Sequence, residues 1–261
     1  MRIYSRIKQY YKYRRNWRKL QSRQAKGKEA EQLSKELNFY SQLINKGDFC
    51  FDIGANIRDK TDMFVQLGAT VVAVEPQESC WRVLKRRFKN GNISIETAAL
   101  AGEKGSRTLF IDRSHTLATM SRDWITAVKK SGRFSSHKWA DKLPVQTTTL
   151  DLLIEKYRKP DFCKIDVEGG EYEVLQGLSV PIKTISLEFV TERIEPTLNC
   201  IDYLSRLGKA QFNYCLGGSM TFALPNWADC HKIKQVLSTM NKHIDNYGDL
   251  YVRFADEQSP R

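Results

Sequence analysis

From Asp48 onward, short apolar runs alternate with amphipathic stretches of helical period, which is the order of an α/β fold and not of a helical bundle. The runs predict strands over 49–53, 70–74, 93–97, 106–111, 145–148, 162–165, 184–189, 211–216 and 250–254. Helices are expected between them near 60–67, 79–89, 150–157, 171–176, 196–207 and 228–243. Three runs, Cys50-Phe51-Asp52-Ile53, Val71-Val72-Ala73-Val74 and Cys163-Lys164-Ile165, are apolar almost throughout, as suits parallel strands covered on both faces. A doubly wound, mostly parallel sheet follows.

The 261 residues, 41% hydrophobic and 28% charged, fit one globular domain with a full core, and exclude a fibrous, low-complexity or disulfide-scaffold chain. Ahead of that domain, residues 1–45 form a helical extension in which Ile3, Ile7, Tyr10, Trp17 and Leu20 recur at helical spacing. Residues 1–28 hold 11 basic side chains and no acidic one, leaving 31 against 30 in the rest, so the net charge of +12 belongs to this segment. Mixed with Tyr10, Tyr11, Tyr13 and Trp17, these charges suit an anionic membrane surface, nucleic acid or an acidic glycan. The plainer alternative is a solvated helix that packs its aromatic stripe on the domain or on a second subunit. Six cysteines without a C-x-x-C pair, and no apolar run near the roughly 20 residues of a membrane span, predict a reduced chain in the cytoplasm, with attachment at a membrane surface as the variant. Residues 113–141 interrupt the alternation with Arg113, His115, Arg122, Trp124, Lys129, Lys130, Arg133, His137 and Trp139, and an insertion of this length reads as a lid or binding loop.

Asp52-Ile53-Gly54-Ala55-Asn56 stands at the end of the first predicted strand and Glu75-Pro76 at the end of the second. In an open parallel sheet both reach the crevice beyond the carboxyl ends of the strands. Gly54 permits a sharp turn and a close approach to a ligand, and the Glu75 carboxylate suits the two hydroxyls of a ribose. The ligand is then a nucleoside. A dinucleotide fingerprint is absent, because Gly54 is the only glycine between Asp52 and Leu67, and there is no phosphate-binding lysine loop. The charge of Asp52 would repel a pyrophosphate and attract a cationic amino-acid head, the profile of S-adenosylmethionine.

Phe51-Asp52-Ile53-Gly54-Ala55-Asn56, Glu75-Pro76, Ala98-Ala99-Leu100, Thr148-Thr149-Leu150-Asp151, Lys164-Ile165-Asp166-Val167-Glu168-Gly169-Gly170-Glu171, Val174-Leu175-Gln176-Gly177 and Gly248-Asp249-Leu250-Tyr251-Val252 follow one another as the motifs of the FkbM-type methyltransferases do. Over about residues 48–254 the sequence resembles that family. The resemblance implies a Rossmann-like class I fold with a seven-stranded sheet, S-adenosylmethionine as cofactor, and O-methylation of a sugar, glycan or other small metabolite. It implies that Asp52, Gly54, Ala55 and Asn56 lie around the methionine part, Glu75 with Pro76 at the ribose, and Thr97 and Ala98 beside the adenine. Arg58 stands where the family carries a second glycine.

Methyl transfer needs an aligned acceptor and removal of its proton. Glu168 is the first candidate for that base, with Asp166 toward the cofactor's amino end. Glu171 and Glu188 approach the same rim, so that Mg²⁺ is conceivable, but no metal site is predicted. His115 or His137 becomes a candidate base only if the insertion folds over the cleft. The expected organisation is thus a basic extension (1–45), a methyltransferase domain (46–256) with its insertion (113–141), and a tail (257–261). A nucleic-acid acceptor recruited by residues 1–28, and a non-catalytic scaffold whose cofactor site has decayed, are the alternatives.

Overall fold

The computed structural model describes residues 28–57, 60–88, 93–241, 243 and 246–255. Arg58 and nearly all of the basic segment lie outside the described residues, and with them the expectations drawn from those positions. The chain divides into two compact units between Gln42 and Leu43. In the first, the described part is helix α1 (Lys28–Tyr40), carrying an exposed Glu31–Lys35 pair one turn apart.

The second unit runs β1 (Phe49–Ile53), α2 (Lys60–Gln66), β2 (Thr70–Val74), α3 (Glu78–Arg87), β3 (Ile93–Glu96), β4 (Ala99–Leu100), β5 (Gly105–Ile111), α4 (Arg122–Lys130), β6 (Asp141–Thr148), α5 (Leu150–Lys156), β7 (Phe162–Ile165), α6 (Glu171–Leu175), β8 (Thr184–Val190), α7 (Glu195–Leu207), β9 (Ala210–Leu216), α8 (Cys230–Ser238) and β10 (Tyr247–Phe254). Seven strands form one sheet in the order β3-β2-β1-β7-β8-β10-β9. The pairs from β3 through β8 are parallel, whereas β10 runs antiparallel to both β8 and β9. The order reverses between β1 and β7, which opens a crevice at their carboxyl ends. This is the expected class I architecture.

One face of the central strands builds the core. Phe51, Ile53, Cys163, Ile165, Ile185, Leu187, Leu250 and Val252 form a single cluster with α5, α6, α7 and α8. On the other face the register aligns Asp52, Lys164 and Ser186 in one row, all buried. The runs that looked almost wholly apolar therefore carry a buried polar row.

A second sheet, β4-β6-β5, was not foreseen. Strand β6 begins at Asp141 where alternation predicted 145, because Asp141-Lys142-Leu143-Pro144 is too polar to read as strand and is held by pairing with β5. The insertion is itself folded. It holds a short 3-10 turn at His115–Leu117 and helix α4, and Leu117, Trp124 and Val128 cluster with Val190 at the end of β8. The Ser121 hydroxyl caps α4 by accepting from the Trp124 N–H. Among the described residues no helix is long and apolar enough to cross a membrane.

Candidate active site

The loop after β1 is shaped by two left-handed residues, Gly54 (φ +80°) and Asn56 (φ +52°). A Cβ on Gly54 would lie 1.9 Å from the Asp166 carbonyl oxygen, so the glycine admits the neighbouring strand end as well as its own turn. Asn56 tolerates its conformation because its side chain bonds locally, with Oδ1 accepting from the Ile57 N–H at 2.8 Å.

Both loops converge on Glu75. Its carboxylate accepts from the Asn56 N–H at 2.9 Å on one oxygen and from the Gln77 N–H at 2.7 Å on the other. Burial pushes Glu75 up to about 7, against the pull of these amides. The side chains of the same two residues have a common second target: Asn56 Nδ2 and Gln77 Nε2 donate to the His115 carbonyl at 2.8 and 2.9 Å. A strap from the insertion is thereby fastened across both loops. Its other end is fixed where Thr119 Oγ1 donates to the Glu168 carbonyl at 2.7 Å.

Under the strap lies a cleft. Gly54, Asn56, Glu75, Pro76, Asp166 and Glu168 all line it, so six of the predicted residues meet in one place. Asp52, Ala55, Thr97 and Ala98 are not among its walls. Asp52 lies behind it, buried, accepting from Thr61 Oγ1 at 2.5 Å; burial raises its pKa, opposed by the nearby Lys164 ammonium. Thr97 is exposed, and the apolar wall comes instead from Ala99, Leu100 and Leu109. Gln77, Leu109, Ala118 and Met120 are lining residues that sequence reasoning missed. His115 is in the wall, whereas His137 is not; its Nδ1 lies 2.8 Å from the Asp112 carboxylate within the insertion.

At the inner end the turn after β7 places Glu168 (φ +56°) and Gly169 (φ +90°) in left-handed conformations. Lys164 Nζ donates to Asp166 Oδ2 at 2.6 Å, which holds that carboxylate from beneath. Glu171 braces the turn, its Oε1 accepting from the Val167 and Gly169 N–H groups at 3.1 and 3.2 Å, and burial pushes it to about 7. Arg193 completes the brace by donating to the Gly169 carbonyl at 3.0 Å and to the Ser121 hydroxyl of the insertion at 3.3 Å. Beyond the turn is a second, smaller cavity, lined by Glu171, Glu188, Trp124, Arg193 and Thr197 among others. One carboxylate oxygen from each of Asp166, Glu168 and Glu188 lies within 4.8 Å of the other two.

The methyltransferase FkbM domain matches residues 52–214, more than half of the chain, from the end of β1 into β9. The chain belongs to the FkbM methyltransferase family. An FkbM methyltransferase uses S-adenosylmethionine, and the cleft offers it the Glu75 carboxylate, an apolar wall at Ala99, Leu100 and Leu109, and the carboxylates of Asp166 and Glu168. Among solved structures, the chain is similar to a TehB-like SAM-dependent methyltransferase from Corynebacterium glutamicum (9% identity, 94% of this chain and 97% of that one, TM-score 0.46). It is also similar to a precorrin-6y C5,15-methyltransferase from Geobacter metallireducens (11% identity, 86% and 87%, TM-score 0.41). The strand order, and not these overlaps, carries the fold. Among curated proteins none matches the sequence.

Proposed function

We propose that this FkbM methyltransferase methylates a hydroxyl oxygen of a small acceptor, a sugar, glycan or other metabolite. The observation that carries the proposal is the meeting of Asp166, Glu168 and Glu188 where the cofactor cleft adjoins the second cavity. A hydroxyl must give up its proton as it is methylated, and a carboxylate at hydrogen-bond reach is the group that takes it. Bound in the cleft, the cofactor supplies an electrophilic methyl group. The chain does the rest: Glu75 accepts from the ribose hydroxyls, the apolar wall flanks the base, and the strap shields the cleft from water. Glu168, with Asp166 oriented by Lys164, receives the proton. The basic residues of 1–28 would bring the enzyme to an anionic surface, and six free cysteines, five of them buried, suit a cytoplasmic setting.

The test is transfer of a labelled methyl group from S-adenosylmethionine to a panel of neutral and charged glycans, with RNA and DNA in parallel. An O-methylated glycan, made about a hundredfold more slowly by Glu168→Gln with affinity for S-adenosylhomocysteine unchanged, is the expected result. Transfer to nucleic acid alone, or to nitrogen, would overturn it.

A further inference from the structure

We infer that Glu188, together with Asp166 and Glu168, is the counter-charge by which this cleft distinguishes its cationic methyl donor from the neutral product. The inference rests on the methyltransferase reading and extends it to the order in which charge enters and leaves the site.

Glu188 stands at the crevice end of β8, in the second cavity, with its carboxylate within 4.8 Å of the two that line the cofactor cleft. The groups facing it come from every side. Asp166 and Glu168 follow β7, Glu171 belongs to α6, and Asp249 is its register partner on β10. Arg193 and Lys164 are the cations nearby; Arg193 is engaged outside the cluster, whereas Lys164 offsets one of its charges at Asp166. Arg193 donates to the Gly169 carbonyl and the Ser121 hydroxyl, and Lys164 donates to Asp166. Burial, and then the charges of Asp166, Glu168, Glu171 and Asp249, all drive the Glu188 carboxyl well above the ordinary carboxylate range. A site built this way holds protons until another positive charge arrives.

S-adenosylmethionine carries one positive charge more than S-adenosylhomocysteine, on the sulfonium. Its arrival in a cleft lined by Asp166 and Glu168, with the Glu188 carboxylate within 4.8 Å of theirs, favours the ionised form of the cluster and releases a proton to solvent. In the transfer step the S–CH₃ bond breaks with its electron pair left on sulfur, and the new C–O bond forms from an oxygen lone pair. The hydroxyl proton then passes to the carboxylate cluster. The cluster has lost one proton on binding the donor and regains one from the acceptor, so the positive charge lost from sulfur is replaced by a proton on Glu188 and its neighbours. Product then faces a neutralised site and is held less tightly than the donor.

The experiment is calorimetric titration of S-adenosylmethionine and, separately, S-adenosylhomocysteine into the full chain at pH 7, in buffers of different ionisation enthalpy so that released protons are counted. Wild type is expected to bind the donor about tenfold more tightly and to release on the order of one proton more with it than with the product. Glu188→Gln should bring the two affinities within about threefold and remove the extra proton, while Glu188→Asp, which keeps the charge, should retain both differences. Equal proton counts in wild type, tighter binding of the product, or a preference that survives in Glu188→Gln would overturn the inference and leave the cofactor site standing. Failure of wild type to bind either compound would overturn the methyltransferase reading and this inference with it.

Discussion

Trp124 occupies the space that any side chain on Gly169 would need: a Cβ there would lie 2.4 Å from Trp124 Cδ1 and 2.5 Å from Cβ and Cγ. The tryptophan is buried and sits edge-on to Trp139, so it has little room to yield. The insertion and the turn after β7 thus pack directly on one another. Gly169→Ala combines a left-handed backbone at φ +90° with this clash, and should cost about 2–4 kcal/mol of stability. Urea unfolding measures the loss, and methyl transfer should fall more than cofactor affinity, because the displaced turn carries Glu168 and not Glu75.

The clamp on the His115 carbonyl predicts a kinetic phenotype. Gln77→Leu removes one amide donor and Asn56→Gly the other, and the glycine keeps the left-handed backbone at residue 56. One lost buried hydrogen bond of about 1 kcal/mol corresponds to roughly fivefold faster release of S-adenosylhomocysteine, and the double variant should lose more than either single one. Stopped-flow displacement measures the rates, and faster amide exchange over residues 113–119 should accompany them. Unchanged release in both single variants would remove the strap from the account of cofactor retention.

How much of this was legible in the sequence depended on the range of the interaction. Glu75 could be read because strand period and the crevice rule place it without any knowledge of partners, and Gly54 because a turn at that point has few alternatives. Gln77 could not, since its role is a side-chain bond to a backbone carbonyl 38 residues away, and nothing in Gln-Glu-Ser marks it. The β4-β6-β5 sheet was hidden because half of β6 is polar and becomes strand only by pairing with β5. Thr97 and Ala98, expected beside the adenine, sit where the chain leaves β3 and do not line the cleft, whereas Ala99 and Leu100, two residues on, do line it and have already joined the second sheet. Glu188 lay in plain view in an apolar strand, but its surroundings come from Asp249 on the strand beside it and Asp166 in the turn after β7.

Glu75 and Glu171 predict opposite pH trends for stability and for binding. Each has a folded value of about 7 against an ordinary 4.5, so between these limits the folded state holds more protons than the unfolded chain. Their contribution is therefore present below about pH 4.5 and is lost as pH rises to about 7. The stability difference between wild type and Glu75→Gln should shift by roughly 3 kcal/mol from pH 5 to pH 8, with wild type losing ground. Cofactor affinity should move the other way, rising as Glu75 ionises and levelling above pH 8, since only the carboxylate can accept from both ribose hydroxyls. A flat affinity profile across this range would mean that Glu75 does not hold the ribose.

Lys164 is the buried cation on which the polar row depends. Its ammonium bonds Asp166 at 2.6 Å, and its field opposes the raised pKa of Asp52 on the neighbouring strand. Lys164→Met keeps the length and apolar volume but leaves two carboxylates facing one another in the interior, and should destabilise the protein by about 3–5 kcal/mol at neutral pH. Protonation relieves that repulsion, so the deficit should shrink as pH is lowered toward 5. A second substitution, Asp52→Asn, should recover part of the loss, which separates charge imbalance from a packing defect that neither acid nor asparagine would mend. Denaturant midpoints of the single and double variants at pH 5 and pH 8 decide between the two, and methyl transfer should stay impaired in the rescued double variant, because Asp166 no longer has the partner that orients it at the cleft.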